Sequence, residues 1–334
     1  MRLSFVAFLL LIVFSGRGQQ SVDQLRETAI SFQRQEDFMN TLMVLGRALE
    51  IEPQNLTLLK DVAFTYYLAG DFKRAGIRVL PLTDLENADI QTFQIAGNIF
   101  KASEDFKLCE KIYKKGLKKF PSSGQLYSEY GDLLWSLEKP ADAIAQWEAG
   151  INQDPSHSGN YYHAAKFYFA AADKARSIVY GETFVNLESF SERTAEIKIL
   201  LIESYKRVFM RTEPKQHFIK KSTDFELKFL DILLKQSELA ERGITQESLL
   251  TIRSRFILDW FNEVGDIFPL QLFDRLQNLL REGLFESYNQ WLFGPVSDVR
   301  AYQSWIKLYE NEYKKFQLYQ RNILFKVPFD QHYF

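Results

Sequence analysis

The sequence predicts an all-α protein, a solenoid of stacked helix pairs followed by a further helical region. Three features of the 334 residues carry this. Small residues recur at a fixed interval between two large apolar ones, proline closes several of the intervals, and glycine (16) and proline (9) are sparse enough to leave long stretches helical.

The interval is 34 residues. Ala29, Ala63, Gly97, Gly131 and Ala165 follow one another at that spacing, with Phe32, Tyr66, Phe100, Leu134 and Tyr168 three positions later and Leu25, Leu59, Phe93, Tyr127 and Tyr161 four positions earlier. Those offsets put all three on one helical face, where a small residue between two large ones lets a second helix approach. The second helix opens on Phe38, Phe72 and Phe106. It continues through the small set Thr41, Ala75, Cys109 and Ala143 to Leu45, Val79, Tyr113 and Trp147. Pro53, Pro121 and Pro155 close units, with Asn87 in the second. After Tyr168 the second helix fits only with two residues missing, which brings Ala175 and Val179 into register. The array is therefore four good units and a degenerate fifth, spanning 22–187. Cys109, the one cysteine, sits in the small column and reads as a packing residue.

A helix–turn–helix unit of this length and pattern resembles the tetratricopeptide repeat (TPR). The resemblance implies a right-handed helical solenoid whose first helices turn their unburied faces into a concave, partner-binding groove. Those faces carry Lys60, Phe64 and Tyr67, then Gln94, Asn98 and Lys101, then Ser128, Asp132 and Trp135, then Tyr162, Lys166 and Phe169. Amides and charges among large aromatics suit a protein or peptide anchored by apolar side chains. The pattern departs from the carboxylate-clamp version of the family. Phe64 stands where the clamp asparagine would follow Lys60, Ile95 takes the next asparagine position, and Gln125 and Glu129 take those of the basic pair. A glycan-binding cell-wall module, using exposed aromatics as stacking platforms, is the alternative reading.

Beyond the array, residues 188–334 keep a helical pattern while the period fades, and are either divergent repeats or a cap over the last apolar flank. Helices are expected at about 192–210, 224–236, 246–264, 270–282, 284–293 and 298–322. Ser297 is the expected N-cap of the last, and Val299, Tyr302, Trp305, Ile306, Tyr309, Tyr313 and Phe316 its aromatic-rich stripe. Leu272, Leu276, Leu279, Gly283 and Phe285 outline one more distant hairpin, and 211–222 is the best linker.

Nothing in the sequence points to catalysis, a cofactor or a metal. His157, His163, His217 and His332 make no ligand spacing, and no nucleophile elbow or phosphate-binding glycine loop is present. With 41 basic and 43 acidic side chains and a net charge of −2, a nucleic-acid partner is not expected. Lys107, Lys111, Lys114, Lys115, Lys118 and Lys119 read as a solvated face. Lys206, Arg207, Arg211, Lys215, Lys220 and Lys221 read as a basic linker.

At the start, Met1 and Arg2 precede an apolar run over 3–14 broken only by Ser4, and Ser15, Gly16, Arg17 and Gly18 offer small residues at alternate positions. A run of roughly a dozen apolar residues is too short to cross a bilayer and fits a signal peptide over 1–18. A buried helix is the alternative, but the run has no polar face. Export to the periplasm or medium follows, with no transmembrane segment after cleavage. Mass measurement of the protein from its native host should place the mature N-terminus near Gln19, and an intact Met1 would rule cleavage out.

Overall fold

A computed structural model describes residues 21–209, 223–241 and 243–333. The signal segment and the 211–222 linker therefore lie outside the described residues, as do His217 and the basic residues from Arg211 onward. Eighteen helices and no strand occur among the described residues. Five pairs come first: α1 (Val22–Arg34) and α2 (Phe38–Ile51), α3 (Leu56–Leu68) and α4 (Phe72–Val79), α5 (Ile90–Ala102) and α6 (Phe106–Lys119), α7 (Gly124–Ser136) and α8 (Pro140–Gln153), α9 (Ser158–Ala170) and α10 (Lys174–Leu187). Then follow α11 (Glu192–Phe209), α12 (Asp224–Leu234), α13 (Ser237–Ala240), α14 (Gln246–Glu263), α15 (Gln271–Arg281), α16 (Phe285–Ser297), α17 (Val299–Leu308) and α18 (Glu310–Asn322).

Local chemistry sets these boundaries. Ser21, Asn55, Asp89 and Ser123 cap the first helices, each side chain accepting from the backbone N–H three residues on; His157 holds the fifth such position without a side-chain bond. Between the paired helices the chain passes through the left-handed region at Glu36, Gly70, Glu104, Glu138 and Ala172, with φ of +59°, +74°, +59°, +56° and +60°. The next residue caps the second helix: Asp37, Asp71, Asp105 and Asp173 accept from Asn40, Arg74, Leu108 and Arg176 N–H. In the fourth unit Lys139 and Pro140 replace this device with proline at the first helical position. The turn is thus of one form throughout, and these are hairpins of the tetratricopeptide type. Gly283, at φ +67°, joins α15 to α16 by the same turn. Gly283 N–H donates to Leu280 O and Leu284 N–H to Leu279 O, as Glu138 N–H does to Trp135 O and Lys139 N–H to Leu134 O.

The chain forms two compact units, one ending at Cys109 and one beginning at Glu110. In the first, Leu25, Ala29, Val44, Leu45, Ala48 and Leu58 form a buried cluster flanked by Phe32 and Val62, and the Cys109 thiol donates to Gly97 O at 3.3 Å. Cys109 is fully buried, a packing residue in its column.

In the second unit the small column is tightest at Gly131. A Cβ there would lie 2.3 Å from Trp147 Nε1, which donates to Ser128 O at 3.2 Å. Helix α10 is enclosed on every side, with residues 175–186 all buried. Its interior is ionic as well as apolar. Glu182 accepts from Arg253 of α14 and, at 2.8 Å, from the Tyr288 hydroxyl of α16. Arg253 also donates to Asn289 and, at 3.2 Å, to the Tyr205 hydroxyl of α11. Phe285 and Phe293 rings flank the guanidinium at 5.3 and 5.2 Å. Near the start of α10, Arg176 bridges Asp173 at 2.5 Å and Glu226 of α12 at 2.7 Å.

Several expectations change. The two-residue contraction in the fifth unit is absent: Ala172 and Asp173 keep the 34-residue interval, so Ser177 and Gly181, not Ala175 and Val179, fill the columns. Gly181 is small because α11 packs there, with Leu201 Cδ2 placed 3.0 Å from where a Cβ would be. The last long helix divides at Tyr309 into α17 and α18. Its N-cap is Asp298, which accepts from Arg300 and Ala301 N–H, whereas Ser297 ends α16. Of the aromatic stripe, Tyr313 and Phe316 are buried and α17 buries no residue.

Gly131→Leu should cost about 1–3 kcal/mol through the collision with Trp147. Ala172→Gly should add about 0.5–1 kcal/mol, because relief of the left-handed backbone exceeds the extra unfolded-state entropy. Urea denaturation measures both, and a neutral Gly131→Leu would contradict the register.

Candidate functional site

The twelve residues of the first-helix faces fall in the two units separately. In the first, Phe64 and Tyr67 stack at 5.8 Å, and Tyr67 leans on Phe72 at 5.9 Å. Lys60 is only 4% exposed, its ammonium bonded to Asp89 at 2.6 Å and Gln91 at 2.8 Å. Burial raises the Asp89 carboxyl, but hydrogen bonds from Lys60 and Thr92 outweigh it and hold the group below its ordinary value. Arg26 and Asp61 make a similar link from α1 to α3 at 2.6 Å. On α5, Asn98 is exposed, with Gln94 and Lys101 half-buried.

In the second unit α7, α9 and α11 present an aromatic and cationic surface. Ser128 is buried, its carbonyl held by Trp147, and Asp132 is half-buried. Trp135 is 46% exposed, its ring resting against Trp147 at 6.0 Å and edge-on to Phe167 at 6.1 Å. Tyr162 is flanked by two cations, Lys166 at 4.8 Å and Arg193 at 5.0 Å, and its hydroxyl donates to Glu196. Lys166 also pairs with Glu196 at 2.7 Å. Burial raises the Glu196 carboxyl, but the bonds from Lys166 and Tyr162 more than offset this and leave it below its ordinary value. The Phe169 ring lies 3.7 Å from the Arg207 guanidinium, which donates to Phe169 O at 2.8 Å.

Helices α1 and α3, α3 and α5, and α9 and α11 are therefore tied together across these faces by arginine– and lysine–carboxylate, tyrosine–carboxylate and arginine–aromatic contacts. Arg193, Glu196 and Arg207 of α11 belong to the same surface, although the sequence pattern does not single them out for it. Glu196 stands 34 positions after Tyr162, so the register reaches α11 even though residue types no longer repeat.

Of the two basic clusters, Lys107, Lys111, Lys114, Lys118 and Lys119 are exposed on α6 with Lys115 half-buried, and Lys206 pairs with Glu203 at 2.7 Å. Among the described residues no three His, Cys, Asp or Glu side chains group as a metal site. None of the described helices is long and apolar enough to cross a membrane.

The chain matches no protein-family model and no curated protein. It is similar in structure to TTC0263, a thermophilic TPR protein of Thermus thermophilus, at 12% identity over 55% of this chain and 100% of that one, with a TM-score of 0.44. It is also similar to MamA, at 15% identity over 50% and 92% with a TM-score of 0.40. A further similar structure is YrrB, a TPR protein with an unusual peptide-binding site, at 15% identity over 53% and 92% with a TM-score of 0.38.

Proposed function

We propose that this chain is a protein-interaction scaffold or assembly adaptor of the bacterial cell envelope, exported by its first 18 residues, that binds a protein or peptide on its first-helix faces. The observation that carries it is the exposed Trp135 ring on α7, edge-on to Phe167 of α9, the helix that also carries the cation-flanked Tyr162 and Phe169. Tryptophan, tyrosine and arginine dominate binding energetics because they offer large rigid surface with a polar handle at low entropic cost. Of the twelve residues, Trp135, Asn98 and Lys166 are exposed, and Phe64, Tyr67 and Tyr162 are half-buried, each with part of its ring open to a partner. A glycan platform would need several exposed, coplanar rings. Of the five tryptophans, Trp147, Trp260 and Trp291 are buried and Trp305 is half-buried, which favours a protein partner.

The test changes Tyr67, Trp135 and Tyr162 singly to alanine and measures melting and capture of a partner from envelope extract together. Trp135→Ala and Tyr162→Ala should weaken capture about tenfold or more while Trp135→Ala moves stability by less than about 1 kcal/mol. Full capture by all three variants, or a loss of capture that tracks unfolding, would send the binding surface elsewhere.

A further inference from the structure

Between α11, α16, α17 and α18 lies a cavity of about 390 Å³, a size that suits a small organic ligand. None of the aromatic-face residues described above lines it. Lys198 enters it from α11. This lysine is 7% exposed, its ammonium donating to Trp291 O at 2.7 Å and lying 3.7 Å from the Trp291 ring centroid. No carboxylate lines the cavity, and none among the described residues pairs with Lys198. An ammonium buried without a counter-ion is costly, and here burial alone pushes its pKa down to about 7.

Other polar residues line the same space. Gln320 of α18 is 8% exposed, and its Nε2 has no hydrogen-bond partner. Tyr302 and Tyr313 hydroxyls meet at 2.6 Å, so one donates to the other and one proton is left for a third acceptor. Tyr302 reaches this position because Gly294 lacks a side chain: a Cβ there would lie 2.4 Å from Tyr302 Cδ2. Lys198, the amide of Gln320 and the Tyr302–Tyr313 pair thus border one cavity together with Trp291, and no carboxylate is among the residues that line it.

We propose that this cavity is a binding site for a carboxylate carried on an apolar body, its oxygens held by Lys198, Gln320 and the tyrosine hydroxyl pair and its apolar part lying against Trp291. A carboxylate satisfies the orphaned amide donor and gives the lysine the counter-ion it lacks, and the ring walls replace water around the rest of the ligand. A free small acid and the C-terminal carboxylate of a peptide share this chemistry.

Isothermal titration of the full-length mature chain at neutral pH distinguishes them, using 4-phenylbutyrate, the neutral 4-phenylbutan-1-ol, and a phenylalanine-terminated tripeptide as free acid and as amide. The acid should bind at least about tenfold more tightly than the alcohol. Lys198→Met should abolish that preference, and Gln320→Leu should reduce it while the chain stays folded. Binding of 4-phenylbutyrate alone assigns the site to small acids; binding of the tripeptide acid but not its amide extends it to chain termini. Equal affinity for acid and alcohol, no binding of either acid, or an undiminished preference in folded Lys198→Met would overturn the proposal. If Lys198→Met fails to fold, the acid–alcohol comparison on the unaltered chain and Gln320→Leu decide.

Discussion

Arg253 and Glu182 are both removed from water, 1% and 2% exposed, and each is the other's counter-ion. A guanidinium in that position requires all its donors to be met at fixed angles, and the groups that meet them come from α10, α11 and α16. Three helices of the C-terminal region are in this way registered against the second helix of the fifth repeat. Burial of an ion pair is weak evidence of net stabilisation, but it discriminates strongly between arrangements, since any slip of α14 along α10 leaves a charge unpaired in an apolar interior.

The repeat hairpins are legible in the sequence because their constraints are local. A small residue between two large ones every 34 positions is written in residue types, whereas the left-handed turns at Glu36, Glu104, Glu138 and Ala172 are not, since neither glutamate nor alanine marks them. The fifth hairpin shows where that legibility ends. A helix enclosed on all sides has no polar face, so α10 lacks the periodicity that marks its counterparts, and its register reads as shifted although the turn at Ala172 keeps its place. The division at Tyr309 is hidden for the opposite reason, because the aromatic spacing continues across a break in the backbone. Lys198 gives no sequence signal at all. A lysine in an amphipathic helix is ordinarily solvated, and only the placement of Trp291 and α18 makes this one buried.

The first-helix faces combine two demands that sequence alone does not separate. Lys60, Tyr162, Lys166 and Phe169 stand at positions proposed to face a partner, and each also holds the neighbouring helix through Asp89, Glu196 or Arg207. Such links position α3 against α5 and α9 against α11, so these faces are fixed without any partner. Preorganisation of this kind lowers the entropic cost of binding, which suits the proposed scaffold role.

The anchoring of the C-terminal helices on α10 is tested most directly by a charge-deletion cycle. Urea unfolding followed by far-ultraviolet circular dichroism would compare Arg253→Met, Glu182→Met and the double variant with the parent chain. Arg253→Met should cost about 3–5 kcal/mol by leaving Glu182 buried without its counter-ion, and the double variant should recover most of that loss. A single variant within about 1 kcal/mol of the parent, or a double variant as unstable as the sum of the singles, would contradict the account.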